Sequence, residues 1–462
     1  MPSKILIIGA GAAGLFAAYE LCMLKNTEIK IIEEGPSVER RICASKDHAV
    51  CVKCKPCRML CGVGGAGTYS SGLLNLDPNI GGNLSEIAGS EEKARELIDR
   101  IDAIFVKHGA PNQLFYPNDD KIGEIQRLAG SVGIKFIPVK QRLLGTENAP
   151  KIIKDIQEYL QTKGIQFLLD QQVTEITPTG VKLQNGGTLE FDYCLAAPGR
   201  YGMHWLAQQM ENLHVETKYL PVDIGVRVEV PAFIMEHICA FERDPKFHIY
   251  TSTYDDFVRS FCTNHKGFVV QEVYDDGTVA VNGHSFINEQ SANTNFALLV
   301  RVALTHPLED TSAYGRSIVQ ACTTLGGRKP LVQRLGDVKR GRRSTEEKIK
   351  GNLIQPTLKD TTAGDISMAF PHRLLTDILE AIEKLDTVIP GIESNNTLLY
   401  APEIKYSAKL IVTTKDLETT VKNLYVAGDG AGQTRGIIGA ALSGLVAARG
   451  ISNKISGIEK NN

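Results

Sequence analysis

Lys4-Ile5-Leu6-Ile7-Ile8-Gly9-Ala10-Gly11-Ala12-Ala13-Gly14 decides the reading of this chain. Residues 4–8 are mostly apolar and β-branched, the pattern of a strand buried on both faces of a parallel sheet. Gly9-x-Gly11-x-x-Gly14 follows at once, and Leu15 to Leu24 reads as helix. Gly9 permits a tight turn, Gly11 lets a pyrophosphate approach the backbone, and Gly14 lets the helix lie close to the strand. Ala12 and Ala13 are the turn's cofactor candidates, and the helix N-terminus beyond faces the phosphates with unpaired N–H groups and a favourable dipole. A second strand over Glu28 to Ile32 ends at Glu33, 19 residues beyond Gly14, where a ribose-binding carboxylate belongs. Glu34 stands beside it, opens the Gly35-Pro36 turn, and is the second acidic candidate. An acid at this place suits a free ribose 2′-hydroxyl, so FAD or NAD fits better than NADP.

Composition excludes several other classes. The 462 residues are 43% hydrophobic and 23% charged, too apolar for a disordered chain, and two or three domains are expected. With 51 basic and 53 acidic residues, no global field recruits nucleic acid or anionic lipid. Ten cysteines are too few for a disulfide scaffold, and a reducing cytoplasm is the expected compartment. Residues 5–24 are apolar enough to suggest a membrane span, but Glu20 and the early glycines make them a buried strand and helix.

The far end of the chain chooses between the two cofactors. Asn423-Leu424-Tyr425-Val426-Ala427-Gly428-Asp429-Gly430-Ala431-Gly432 is a strand followed by an acidic, glycine-rich turn, and Gly436 to Ala448 reads as a helix of small residues. This resembles the second FAD signature of glutathione-reductase-type flavoproteins. The resemblance places Asp429 and Gly430 on the ribityl or phosphate portion of FAD, with Gly436 and Ile437 at the helix end facing the flavin. Tyr193-Cys194-Leu195-Ala196-Ala197-Pro198-Gly199 resembles the central strand-turn of the same superfamily, with Ala197 and Gly199 at the matching positions and Pro198 where threonine is usual. FAD is therefore the expected cofactor. A second strand, Gly-x-Gly-x-x-Gly, helix unit is absent from the middle of the chain, so NAD(P)H, as a donor, would dock without a Rossmann module of its own.

Cys51-x2-Cys54-x2-Cys57-x3-Cys61 has the spacing of the bacterial ferredoxin run, which holds a [4Fe-4S] cluster. Gly62 replaces the usual proline, and Cys43 is a substitute ligand upstream. Structural zinc on the same thiols, a redox pair formed by Cys57 and Cys61, and inert buried thiols are the competing readings. The loop that follows, Gly62-Val63-Gly64-Gly65-Ala66-Gly67-Thr68, is stripped of bulk. Backbone of this kind can lie against a ligand, which makes Gly65, Ala66, Gly67 and Thr68 cofactor candidates.

Taken together, these features resemble the family of NAD(P)/FAD-dependent dehydrogenases of glutathione-reductase type. A weaker likeness is Val281-Asn282-Gly283-His284-Ser285 ahead of Asn293-Thr294-Asn295. Members often read Ser-Asp-Gly-Lys after the glycine-rich loop, whereas Ser70-Ser71-Gly72-Leu73 lacks both charges. The resemblance implies an α/β fold: a Rossmann-like FAD-binding domain of glutathione-reductase type interleaved with a mixed α+β substrate domain. It also places a backbone contact to adenine at Val173. The expected segments are FAD-binding at 1–90 with the Cys-rich loop 43–61, a helical excursion at 91–145, FAD-binding at 146–204, a substrate domain at 205–390, and FAD-binding at 391–462. Helices are expected over Glu91 to Lys107 and Ala149 to Lys163, and a strand over Gln166 to Ile176.

The basic run Lys339-Arg340-Gly341-Arg342-Arg343 could meet a nicotinamide phosphate, a ferredoxin-like electron carrier or an anionic substrate, and equally suits a solvated loop. His204 and His284 are proton-transfer candidates by position alone. The expected function is an FAD-dependent oxidoreductase acting on a small molecule, with an iron-sulfur cluster beside the flavin. The competing function is a flavin-bound RNA- or partner-binding protein with zinc in the Cys-rich loop; nucleic acid is the less favoured partner and no membrane span is expected.

Overall fold

Ser3–Ile8 forms the expected strand, with Ile5 to Ile8 almost wholly removed from solvent. In the computed structural model, which describes residues 2–43, 52, 54–70, 72–274, 276–286, 289–306 and 309–457, this strand is the centre of a five-stranded sheet. The order is Leu424–Val426, Tyr193–Ala196, Ser3–Ile8, Thr27–Ile32 and Gln166–Leu168, and every pairing is parallel. Ile5 lies opposite Ile29 and Ile7 opposite Ile31, as strands buried on both faces require. The helix Ala12–Leu21 starts immediately at Gly11, earlier than the sequence suggests, because Gly11 takes extended backbone at its N-cap.

The chain divides into two compact units: residues 1–113, 142–220 and 408–462 form the first, and residues 114–141 and 221–407 the second. These limits differ from the expected segments at 91–113, 142–145, 205–220 and 391–407. Helix Glu91–Lys107 has its expected bounds but belongs to the first unit, where Leu97, Ile98, Ile101 and Phe105 share a core with Leu15 and Phe16. The strand Leu398–Lys405 belongs to the second unit because it pairs with Val222–Pro231. The strand expected over 166–176 is broken into Gln166–Leu168 and Val173–Ile176, the chain turning at Asp170 with φ +55.

Helix Ile437–Ile455 packs on Ala12–Leu21 through small residues. A Cβ added at Gly444 would come within 2.1 Å of the Ala13 carbonyl oxygen, so the backbones touch where no side chain intervenes.

The second unit carries an eight-stranded sheet in the order Thr362–Ala363, Leu331–Arg334, Leu398–Lys405, Val222–Pro231, Asn293–Val302, Phe257–Asn264, Lys246–Tyr250 and Ile134–Ile137. Seven residues in Val222–Pro231 show why the sheet has two unlike faces. Val222, Ile224, Val226 and Val228 point into an apolar core with Ile318, Leu374 and Ile378, while Asp223, Arg227 and Glu229 point the other way. Helices Thr311–Leu325 and His372–Asp386 supply that core from a region read in sequence mainly as strands and loops. Among the described residues no helix is long and apolar enough to cross a membrane.

Candidate functional site

The turns after four parallel strands, at Gly9, Glu33, Ala197 and Ala427, all leave the carboxyl edge of one sheet, the place where open α/β sheets take ligands. Gly9 has φ +99, and a Cβ there would lie 2.3 Å from the Ala197 oxygen. Gly14 is equally constrained, since its Cβ would meet the Gly9 oxygen at 2.0 Å. At Gly11 the nearest atom would be 3.9 Å away, so this backbone is open to an approaching group while its two partner glycines are closed by protein.

Glu33 is buried and accepts three backbone hydrogen bonds: from Ala10 N (2.8 Å) on Oε2, and from Gly35 N (2.9 Å) and Gly62 N (2.8 Å) on Oε1. A carboxylate offers about four acceptor positions, so one on Oε2 is left over. Glu34 is half-buried, and burial followed by repulsion from Glu33 pushes its carboxyl up. Gln171 N donates to the Glu33 carbonyl at 3.0 Å, which puts Val173, two residues on, at the head of its strand near the same end of the sheet.

The second glycine segment closes against the first. Gly64 N donates to the Ala10 carbonyl at 2.8 Å, and Gly11 and Gly64 form a parallel bridge. Gly64 has φ +90 and caps the short 3-10 helix Gly65–Tyr69, which contains Ala66, Gly67 and Thr68. A Cβ at Gly67 would reach Ile437 at 2.9 Å, so this segment also lies against the start of helix Ile437–Ile455.

At the third edge, Asp429 accepts from Thr434 Oγ1 and Gly436 N, each at 3.0 Å. Burial raises its carboxyl despite those bonds and the nearby Arg200 and Arg435. Gly199 (φ +66) and Gly436 (φ +90) would each carry a Cβ into open space, whereas a Cβ on Gly430 would lie 2.4 Å from the Gly199 oxygen. The candidates of the glycine motif, the second loop and the Asp429 turn are thus brought to one edge. An elongated, phosphate-bearing cofactor fits their open backbone and paired carboxylates.

Arg41 was not expected from sequence. It is 2% exposed, and its guanidinium donates to the carbonyls of Arg58 (2.9 Å), Met59 (2.8 Å) and Val63 (2.8 Å) and to Thr68 Oγ1 (3.1 Å). The ring of Tyr69 lies beneath it at 4.9 Å. Arg41 therefore ties the end of the Cys-rich segment to the glycine loop. A basic residue between Glu33 and the cysteines was its only trace in sequence.

The cysteines do not behave as a ligand set. Among the described residues no group of three or more His, Cys, Asp or Glu side chains is placed to hold a metal ion, so Cys54, Cys57 and Cys61 do not converge and Cys43 does not replace one of them. Cys51 lies outside the described residues. Cys61 is buried, and burial, then Glu33 and Glu34, push its thiol well up. Among the described residues, neither the iron-sulfur expectation nor its zinc rival gains support.

The basic run is also partly structural. The buried Asp337 carboxylate accepts from Arg342 Nε (2.8 Å), Ser344 Oγ (2.9 Å) and Lys348 Nζ (3.1 Å), and Lys339 pairs with Glu393. His204 opens helix Met203–Asn212, and His284 ends strand Val279–His284 with its ring 4.5 Å from Phe286. The two lie in different units.

Comparison with known proteins bears on the second unit most directly. An uncharacterized protein of Clostridium beijerinckii is 25% identical over 479 residues, covering 98% of this chain and 81% of that protein. Glycine oxidase from Geobacillus kaustophilus resembles it at 11% identity and a TM-score of 0.40, over 99% of this chain and 96% of that one. L-proline dehydrogenase from P. horikoshii does so at 11% identity and 0.39, over 100% and 95%. Residues 221–406, almost the whole discontinuous second unit after its first segment, match the family described as "FAD-dependent protein, C-terminal domain-like".

Proposed function

We propose that the first unit binds FAD and that the protein is an FAD-dependent oxidoreductase acting on a small molecule. The observation that carries this is the convergence of the Gly9–Gly14 turn, Glu33, the Gly64–Thr68 segment and Asp429 on one carboxyl edge of a parallel sheet. The family match of the second unit to the C-terminal domain of FAD-dependent proteins supports it.

In this reading Gly11, Ala12 and Ala13 present backbone N–H groups to the pyrophosphate, and the unused acceptor of Glu33 takes a ribose hydroxyl. The Val173 backbone meets adenine. Gly65, Ala66, Gly67 and Thr68 line the approach, with Ala197 and Gly199 across from them. Asp429, Gly430, Gly436 and Ile437 hold the ribityl and ring side. Bound FAD supplies two-electron redox chemistry; the chain supplies binding, orientation and exclusion of water.

No step is assigned to an iron-sulfur cluster, because the described residues gather no group of metal ligands. The RNA-binding alternative has no observation behind it beyond the basic run, in which Arg342 pairs with Asp337 and Lys339 with Glu393.

The test is the flavin content of the purified protein, read from its absorption spectrum and from FAD released on denaturation, with iron and zinc counted beside it. Stoichiometric FAD without iron is expected. A chain that carries no flavin and takes none up from added FAD would overturn the proposal.

A further inference from the structure

The polar face of the second unit's sheet gathers charge in an ordered way. Strand register puts Asp223, Gly225 and Arg227 opposite Arg301, Leu299 and Ala297, and the last two of these opposite Arg259 and Phe261 on the next strand. Glu403 and Lys405 flank the other side, opposite Gly225 and Asp223. The middle of the face is therefore Gly225, Ala297, Leu299 and the Phe261 ring, low and apolar. Its rim is cationic.

Three of the cations crowd the Phe261 ring: Arg259 at 4.6 Å, Lys246 at 5.4 Å and Lys405 at 5.9 Å from its centroid. Their partners are fewer. Glu403 is shared by Arg227 (2.8 Å) and Lys405 (2.8 Å), and Asp223 by Arg259 (2.6 Å) and Arg301 (3.6 Å), while Asp244 pairs with Lys246. Glu242 and Glu229 are the other acids packed near this face, and burial raises both carboxyls, Glu242 to about 8. His248 lies beside these cations. Burial, then Arg259, Arg301, Lys135 and Lys246, hold it down to about 4.

A second observation is independent of charge. The side chain of Asn295, fully buried beside Arg227, accepts from Arg227 Nη1 at 2.8 Å, yet its Nδ2 donates to no partner. A donor left unpaired at such depth is costly unless something accepts from it. The chain bends to build this corner: Cys262 takes φ +51 where the strand register slips, and its carbonyl turns onto Arg227 at 3.1 Å.

We propose that this face binds the carboxylate of an apolar organic acid, with Arg259, Lys246 and Lys405 around the acid group and the Phe261 ring against its apolar body. Guanidinium and ammonium groups over an aromatic floor match a carboxylate carried on a flat or branched hydrocarbon. A neutral analogue would leave the surplus cations uncompensated.

The test is calorimetric titration of the full-length protein with benzoate, and with benzamide as the neutral control. Benzoate is expected to bind, with benzamide on the order of tenfold weaker, the loss of one charge-assisted bond. Arg259→Gln and Lys246→Gln should each weaken benzoate by a similar factor while leaving benzamide unchanged. The His248 ring, followed by NMR, should titrate at higher pH with benzoate present and not with benzamide. Equal binding of the two ligands, no benzoate binding by the wild-type chain, or unaltered binding by both folded variants would overturn the site. Flavin content is measured on the same samples: protein that binds benzoate but carries no FAD overturns the flavoenzyme reading and leaves this site standing, and the reverse result does the opposite.

Discussion

Replacing Glu33 by glutamine separates two roles that a ribose-binding acid is usually allowed to merge. In this structure the carboxylate holds three backbone N–H groups, from Ala10, Gly35 and Gly62, that belong to three different turns. Glutamine has one carbonyl oxygen. Its best orientation keeps that oxygen toward Gly35 and Gly62 and turns its NH2 onto the Ala10 N–H, donor against donor. One hydrogen bond to a charged group is lost, worth about 1.5–3 kcal/mol, and a buried N–H is left unpaired at about 1–3 kcal/mol. A combined cost of about 3 kcal/mol is a conservative sum, and it corresponds to roughly a hundredfold change in an opening equilibrium. The assay is native-state hydrogen exchange of the apoprotein, read by mass spectrometry on peptides covering residues 9–14 and 57–65. Protection there should fall about a hundredfold in Glu33→Gln, while strand Val222–Pro231 in the second unit keeps its wild-type protection. The measurement is made without FAD, so loss of a ribose contact cannot contribute. If the apoprotein variant exchanges like wild type and only its FAD affinity changes, Glu33 is a ligand alone and the argument for a structural clasp is wrong.

Three further outcomes are expected. Asp429→Asn removes the charge that receives Thr434 Oγ1 and Gly436 N, and should weaken FAD about tenfold to a hundredfold by fluorescence titration, since hydrogen bonds to charged groups carry about 1.5–3 kcal/mol; unchanged affinity would remove Asp429 from the site. In the native protein at mildly alkaline pH, iodoacetamide should label Cys54 well before Cys61, whose thiol is buried and pushed up, and peptide mass spectrometry showing equal rates would contradict the described environment. Asp377, raised to about 6 by burial and by its hydrogen bond with Asp256, should make stability greatest below its ordinary value near 3.8 and lower as pH rises through about 6. Asp256, held low by Arg373, acts in the opposite sense only at more acid pH, and the difference in thermal unfolding between wild type and the Asp377→Asn variant over pH 4 to 7 reads the Asp377 contribution. Asp377→Asn should flatten that slope, and a slope unchanged by the substitution would refute the assignment.

The parts legible in sequence were those encoded within a turn or two of chain. The apolar run and β-branching of residues 4–8, the glycines at 9, 11 and 14, and the acid at 33 predict a parallel strand, a tight turn and a helix, and those elements are present. The apolar spacing of Ala94, Leu97, Ile98, Ile101 and Ile104 predicts the helix Glu91–Lys107 to the residue. The Cys-rich run shows the limit of such reading. Spacing states which thiols lie near one another along the chain, whereas a metal site needs their sulfur atoms to point at one centre, and among the described residues no such group is formed. In the basic run, Asp337, which pairs with Arg342 and Lys348, is buried beside these residues, and that burial cannot be seen from composition.

The sequence by itself determined the parallel α/β unit, its glycine-rich turns and the two acids, Glu33 and Asp429, that end strands. Tertiary structure alone decided that Glu33 clasps three turns, that Arg41 binds the Cys-rich segment to the glycine loop, and that Gly11 meets Gly64. It also decided that Arg227, Phe261, Asn295 and Glu403 share one face. The physical reason is one of range. Periodicity and turn chemistry act between near neighbours, but which side chains meet is set by strand order and register, and those follow from pairing residues separated by tens to hundreds of positions.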